Sequence, residues 1–366
     1  MSKVFFLPID KASMEGGFTK LLSKIVSGKR ILPTDTVAVK IHPGEEGNSS
    51  YVSPDNVNRV IEAIGPGTDR IFLTDTTVLY PGKRMSAPDY LHLAHEHGFG
   101  LPWTPPFIIA DGLHGEDETI VKMPEGFQAD EAHIASIISN SDAMVIISHF
   151  KGHLLTGFGG ALKNLGMGCA SRAGKLYQHS SVKPLINTDK CSACGICAAH
   201  CHVKAISIDS HASIDTDICT GCGECLGRCP EGAVRVSWDQ NMSVFMRRMI
   251  EYAYAAVSVS NPLLYVNFVT SVVPDCDCMK DIAPPLVDDI GILASADPVA
   301  IDMASLDLVT AAPAAKNSPV RAEAGIDKFS AYRPDINGTL QLSIAESLGL
   351  GSMEYELLKV LERDQQ

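Results

Sequence analysis

Residues 191–201 read CSACGICAAHC, and residues 219–229 read CTGCGECLGRC. Both obey C-x2-C-x2-C-x3-C, so Cys191, Cys194, Cys197 and Cys201 return 28 positions later as Cys219, Cys222, Cys225 and Cys229. Four thiolates at this spacing hold a 4Fe-4S cubane, and where two such runs pair, the fourth cysteine of each ligates the cluster of the other. The spacing therefore predicts two cubanes with crossed ligands. One set is Cys191, Cys194, Cys197 and Cys229; the other is Cys219, Cys222, Cys225 and Cys201. Zinc also binds C-x2-C pairs, but a zinc ion takes four ligands and not two interleaved sets of four.

The repeat continues outside the ligands. Ile186-Asn187-Thr188-Asp189 matches Ile214-Asp215-Thr216-Asp217, and Ala205-Ile206 matches Ala233-Val234. A match at one fixed period marks a duplicated structural unit, and the partly alternating apolar residues after each run suit a short strand. Residues 186–238 resemble a bacterial-type two-cluster ferredoxin domain, a small α+β unit. The chain departs from that pattern once: Pro230 follows the second run, but His202 stands where the first run's proline is expected. Proline fixes the chain's exit and withholds a donor, so His202 is expected to shift one cluster's potential or exposure without abolishing binding. A unit of about 53 residues has little core of its own, and cluster binding is expected to supply much of its stability.

Around this unit the chain reads as one α/β body in two parts, residues 1–185 and 239–366. Val4 to Pro8, Thr36 to Ile41, Arg70 to Thr74, Pro106 to Ala110 and Ala143 to Ser148 are short buried strands by composition. Between them Phe18, Leu21, Leu22, Ile25 and Val26 recur at helical spacing, as do Val57, Val60, Ile61 and Ile64 after a Ser53-Pro54 start signal. This predicts a mainly parallel sheet flanked by helices. After the insertion come a helix near Asn241 to Val257, strands near Leu263 to Val272 and Ile290 to Leu293, and a helix from Asp297-Pro298. Two strands make a poor sheet alone, so this second part is expected to complete the first sheet.

The chain has 366 residues, 45% of them hydrophobic and 20% charged, the composition of an ordinary globular protein. No apolar stretch approaches membrane-spanning length, and Met1 to Leu7 reads as a first strand rather than a cleaved signal. A cytoplasmic location is expected. Of eleven cysteines, eight belong to the two runs, leaving Cys169, Cys276 and Cys278, an odd remainder that fits a reducing compartment. A formal charge of -13 argues against nucleic acid as a partner. From Ala143 to Thr188, however, there is no Asp or Glu, while Lys151, Lys163, Arg172, Lys175 and Lys183 fall there. A solvated basic face is one reading; the other is a local field that draws in an anionic small molecule.

Ligands of parallel α/β sheets bind beyond the carboxyl ends of the strands. The residues there are His42 to Glu46, Asp75, Asp111, His149 to His153, Asp275 to Cys278 and Asp297. Gly157, Gly159 and Gly160, with Lys151 and Lys163, are candidates to cradle an anion; tight turn packing is the alternative. His149 and His153 are candidate proton donors, metal ligands or hydrogen-bonded loop residues. Cys276 and Cys278, one residue apart, would close a strained disulfide ring, so they are read as paired thiols for redox work, as ligands of an additional metal, or as structural residues. Cys169 reads as a small buried residue and Asp297 as a helix cap.

His149-Phe150-Lys151-Gly152-His153, the run from Gly157 to Gly168, the Asp275-Cys276-Asp277-Cys278 tetrad and Asp297 to Asp302 resemble the uncharacterised iron-sulfur-centre proteins called domain of unknown function 362. The resemblance covers nearly the whole chain and implies its architecture, not a reaction. The expected function is an iron-sulfur oxidoreductase that passes electrons through two 4Fe-4S clusters, between a redox partner such as a ferredoxin and an anionic substrate or cofactor in the body. Two alternatives stand beside it. One is an electron carrier or partner-docking protein without its own substrate; the other is a metal or cluster maturation factor working through Cys169, Cys276 and Cys278.

Overall fold

The computed structural model describes residues 1–12, 16–26, 31–64, 67–179, 183–237, 241–280 and 282–360. Its centre is one eight-stranded sheet. In chain order the strands are β1 (Ser2–Pro8), β2 (Val37–Lys40), β3 (Ile71–Asp75), β4 (Phe107–Ile109), β5 (Ala143–His149), β6 (Pro262–Val269), β7 (Gly291–Ser295) and β8 (Tyr355–Lys359). Side by side they run β8-β1-β7-β6-β5-β2-β3-β4. Only β7 is antiparallel to its neighbours, β1 and β6; all other pairs are parallel. The protein is thus an α/β fold with a mainly parallel sheet, and strands from both ends of the chain belong to it.

Side chains of a strand alternate between faces, so each strand feeds two cores. Phe5, Leu7, Val37, Val39, Val145 and Ile147 pack with Leu21 and Leu22 of the helix Gly17–Val26 and with Val57 and Val60 of Pro54–Ile64. The intervening Val4, Phe6, Ala38, Met144 and Ile146 pack on the other face, against Leu162, Met249 and Ile301. Those three sit on the helices Ala161–Gly166, Met242–Ser260 and Pro298–Ala311. Burial on both faces is why the central strands read as continuous apolar runs rather than alternating ones.

Caps set where helices begin. Asp297 accepts from the N–H groups of Val299 and Ala300 at 2.8 and 2.9 Å, ahead of Pro298, as its sequence position predicts. The edge strand β8 is the element the sequence does not announce. It lies mostly in the open, its residues carry little apolar pattern, and pairing with β1 defines it.

The segment holding the cysteine runs is built from two short hairpin pairings. Leu185–Ile186 pairs with Val234–Arg235, and Ile206–Ile208 with Ala212–Ile214, both antiparallel. Short helices Ile196–Ala199 and Glu224–Arg228 lie between them. The duplication is present in the backbone itself. Ala193, Gly195 and Lys204 have φ of 53°, 77° and 54°, and their partners 28 residues on, Gly221, Gly223 and Gly232, have 79°, 73° and 56°. The N–H groups of Ala205 and Ala233, again 28 apart, donate to Cys201 and Cys229 Sγ, each at 3.2 Å. Residues other than glycine rarely take positive φ, so Ala193 and Lys204 mark a turn that the cysteine geometry imposes on the first copy.

One buried carboxylate ties the sheet to the helix that follows the glycine run. Asp302 accepts from Ala161 and Leu162 N–H at 2.8 and 2.9 Å and from Asn267 Nδ2 at 2.8 Å. Asp302→Ala leaves three buried donors unpaired, and each such donor costs about 1–3 kcal/mol. Anaerobic urea unfolding should show a loss of at least about 3 kcal/mol; a loss under about 1 kcal/mol would contradict this role.

Candidate functional site

Chain order reverses at the middle of the sheet. From β2 the chain moves outward through β3 to β4, then returns to β5 on the other side of β2 and continues to β6. Loops leaving β2 and β5 therefore diverge, and a crevice opens at their carboxyl ends. A cavity of about 550 Å³ occupies that crevice. Lys40 and His42 reach it from β2, Asp75 and Thr76 from β3, and Ser148, His149 and Lys151 from the end of β5. Asp275, Cys276 and Cys278 come from the loop after β6.

Eight of the nine body residues singled out from sequence line this one cavity: His149, Lys151, His153, Gly159, Gly160, Lys163, Cys276 and Cys278. The exception is Gly157. It is at the turn of the Lys151–His153/Gly157–Gly159 hairpin with φ 75°, its Cα side against Gly338. Gly160 is needed for close packing, since a Cβ there would meet Asp302 Oδ1 at 2.3 Å. The Ala161 and Leu162 N–H groups beyond it are already taken by Asp302. Positive side chains, rather than those backbone donors, are the positively polarised groups the cavity presents.

Six basic residues line the wall: Lys40, Arg84, Lys151, Lys163, Lys175 and Arg333. Buried cations need counter-charges. Asp75 holds Lys40 at 2.7 Å and Arg84 at 3.2 Å and accepts a short hydrogen bond from Tyr90. Asp277, fully buried behind the wall, holds Lys151 at 3.0 Å and His149 Nδ1 at 2.8 Å and accepts from Ser50 Oγ at 2.9 Å. Burial pushes Asp277 up, but His149 and Lys151 outweigh it and hold the carboxyl well below its usual range. Asp275 pairs with Arg333. Lys163 and Lys175 have no carboxylate contact among the described residues. Lys163 Nζ lies 3.6 Å from Cys276 Sγ, and Lys175 donates to Thr76 Oγ1 and, at 2.7 Å, to the Ala170 carbonyl. Burial pushes Lys175 down to about 8.

The two thiols are unequal. A hydrogen bond from Cys278, helped by Lys163 and Lys151, holds Cys276 well below the ordinary thiol range despite its burial. The same bond, with burial, raises Cys278 well above that range. Cys276 is thus the more acidic of the two thiols, and the Lys163 ammonium lies against it. His149 is hydrogen-bonded at both ring nitrogens: its Nδ1 meets Asp277, and its Nε2 lies 2.9 Å from the Thr270 carbonyl. Burial depresses His153 well below its usual value, and its Nδ1 is 2.8 Å from Thr156 Oγ1, so its ring is neutral. Cys169 is buried outside the cavity with its thiol pushed up to about 11. Among the described residues no three His, Cys, Asp or Glu side chains converge as around a single ion.

Lys40, Arg84 and Lys175 were not singled out as site residues. Lys40 carries a signal, being a lone charge in the buried strand Val37-Ala38-Val39-Lys40. Arg84 comes from an irregular loop and carries none.

Two small hollows lie in the inserted segment. One is lined by Cys191, Cys194, Cys197 and Cys229, the other by Cys201, Cys219, Cys222 and Cys225. Each fourth cysteine thus lies with the opposite run. Leu79 joins the insert to the body: it lines the large cavity and belongs to the apolar cluster around Cys191, Cys197, Cys225 and Cys229. Among the described residues no helix is long and apolar enough to cross a membrane.

No curated protein matches this chain. Among solved structures it is similar to the lactate racemase apoprotein from Thermoanaerobacterium thermosaccharolyticum, at TM-score 0.38 and 12% identity, over 74% of this chain and 51% of that one. It is also similar to a protein from Thermotoga maritima, at TM-score 0.35 and 12% identity, over 76% and 55%. The chain spans about half the length of each. Residues 37–307, from β2 into the helix Pro298–Ala311, match one family over most of the chain, and the protein belongs to that family, described as domain of unknown function (DUF362).

Proposed function

We propose that the protein is an iron-sulfur oxidoreductase whose inserted segment exchanges electrons with a redox partner, such as a ferredoxin, and whose body cavity holds an anionic substrate or cofactor. The observation that carries this reading is the pair of hollows, each lined by one crossed set of four cysteines. Cys191, Cys194, Cys197 and Cys229 would hold one 4Fe-4S cluster, and Cys201, Cys219, Cys222 and Cys225 the other. Bound there, the clusters would supply single electrons at potentials set by nearby charge and hydrogen bonds.

The body residues bind and prepare the ligand. Lys163 and Lys175, the two wall cations without carboxylate partners among the described residues, are placed to meet its negative group. Leu154, Leu155, Phe245 and Met279 line other parts of the cavity, which favours a ligand with an apolar body. Cys276 offers a thiolate nucleophile or soft ligand, and Cys278 holds a proton for it. His149, Lys151, Gly159 and Gly160 shape the wall. A cavity of this size favours an enzyme over an electron carrier that only docks partners.

Anaerobic purification followed by iron, sulfide and EPR analysis tests the cluster assignment. About eight iron and eight sulfide per chain are expected, with two interacting paramagnets on reduction; stoichiometric zinc without sulfide would sink it. The anion site has its own test. Lys175 is charged below about 8 and neutral above, so binding of sulfate by calorimetry should weaken as pH rises through that value. Lys175→Met should bind sulfate about tenfold more weakly at pH 7, the loss of one close ion contact, and lack the pH step. An unchanged pH profile in that variant would remove Lys175 from the site.

A further inference from the structure

We infer that the body packs Arg172 against Gly223, which lines the second cysteine hollow with Cys201, Cys219, Cys222 and Cys225, and against the helix that carries Cys225, making the cluster of that hollow the easier of the two to reduce. An electron entering the pair comes to rest there. The inference builds on the two-cluster reading above and adds an order to it.

Arg172 begins the helix Arg172–His179 of the body and is 1% exposed, an extreme burial for a guanidinium. Its Nη2 donates to the Met85 carbonyl at 2.5 Å and to Thr77 Oγ1 at 3.3 Å. Its Nε and Nη1 have no hydrogen-bond partner among the described residues, although such groups almost always find one. Asp111 and Glu116 act on it from the body, but neither pairs with it. The side chain instead runs along the helix that carries Cys225. A Cβ added at Gly223 would meet Arg172 Cγ at 3.1 Å, and one at Gly227 would meet Nη1 at 1.6 Å. Gly227 is glycine because the guanidinium fills the space of its side chain.

The duplication supplies the comparison. The residue matching Gly227 in the first copy is Ala199, which has a side chain where the second copy makes room for a cation. The match of Pro230, which lines the first hollow, is His202, whose Nδ1 lies 3.8 Å from Cys222 Sγ at the second. The match of Gly221 is Ala193; beside Gly221 a Cβ would stand 3.4 Å from Lys183 Nζ. At three matched positions the second hollow gains a cation or a donor. Its one lining carboxylate, Glu224, is paired with Arg228 at 3.2 Å. The first hollow is lined by Glu231, which has no ion pair among the described residues. Reduction adds one negative charge to a cubane, so a buried, unneutralised cation favours the reduced form.

EPR-monitored redox titration of the anaerobically purified full chain tests this. Wild type should show two midpoints, and Cys222→Ser should alter or remove the higher. In Arg172→Met the higher midpoint should fall by at least a tenfold change in the oxidised-to-reduced ratio, about 59 mV for one electron, with the lower unmoved. Arg172→Lys should restore most of the shift. If Arg172→Met fails to fold, Gly227→Ala, which displaces the guanidinium, and His202→Pro should each lower the same midpoint. Variants with full iron content and unmoved midpoints, or both midpoints moving together, overturn the inference while leaving the clusters standing. Wild type without any cubane overturns the cluster reading itself, and this with it.

Discussion

Lys40 and Lys151 cannot be buried at and just beyond the carboxyl ends of β2 and β5 without an anion beside them, and that constraint shapes the whole site. Asp75 and Asp277 meet it: Asp75 grips Lys40 and Arg84, and Asp277 grips His149 and Lys151. Breaking such a pair by removing one partner is costly because the remaining charge is stranded. The pairs fix the walls, and the cations in excess of carboxylates leave the crevice positively polarised. Lys163 and the Cys276 thiolate lie within this field, so the cavity's chemistry follows from how the sheet's buried charges are balanced.

The inserted segment meets a different constraint. Its apolar cluster is small, built from Leu79, Leu176, Leu226, Val234 and Val236 around the cysteines, and two of those five residues are lent by the body. A unit with so little core depends on whatever the cysteines hold and on its seat against the loop after β3 and the helix Arg172–His179. That helix also presents Lys175 to the large cavity. Seat and site therefore share one helix, through Leu176 and Lys175.

Much of this was legible in the sequence, and the illegible remainder has identifiable causes. Strands such as Val37–Lys40 and Ala143–His149 announce themselves because burial on both faces demands continuous apolar residues. The crossed cysteine sets were legible because the two runs resemble the bacterial two-cluster ferredoxin pattern, in which the fourth cysteine serves the opposite run. The glycine run was half legible. Its link to the cavity could be read, but Gly160 answers to Asp302, a partner some 140 residues away that no local pattern reveals. Arg84 and Lys175 reach the cavity through tertiary folding of a loop and a helix end. His149 could be read as a proton donor, a metal ligand or a hydrogen-bonded loop residue, and only the fold shows that a carboxylate and a carbonyl meet its two nitrogens.

The account stands or falls on what the eight cysteines hold and how they are shared. Anomalous diffraction at the iron edge, from crystals grown anaerobically, locates metal and ligand together. Two four-iron centres should appear, one bound by Cys191, Cys194, Cys197 and Cys229 and the other by Cys201, Cys219, Cys222 and Cys225. Zinc in their place, or four ligands drawn from a single run, would contradict it.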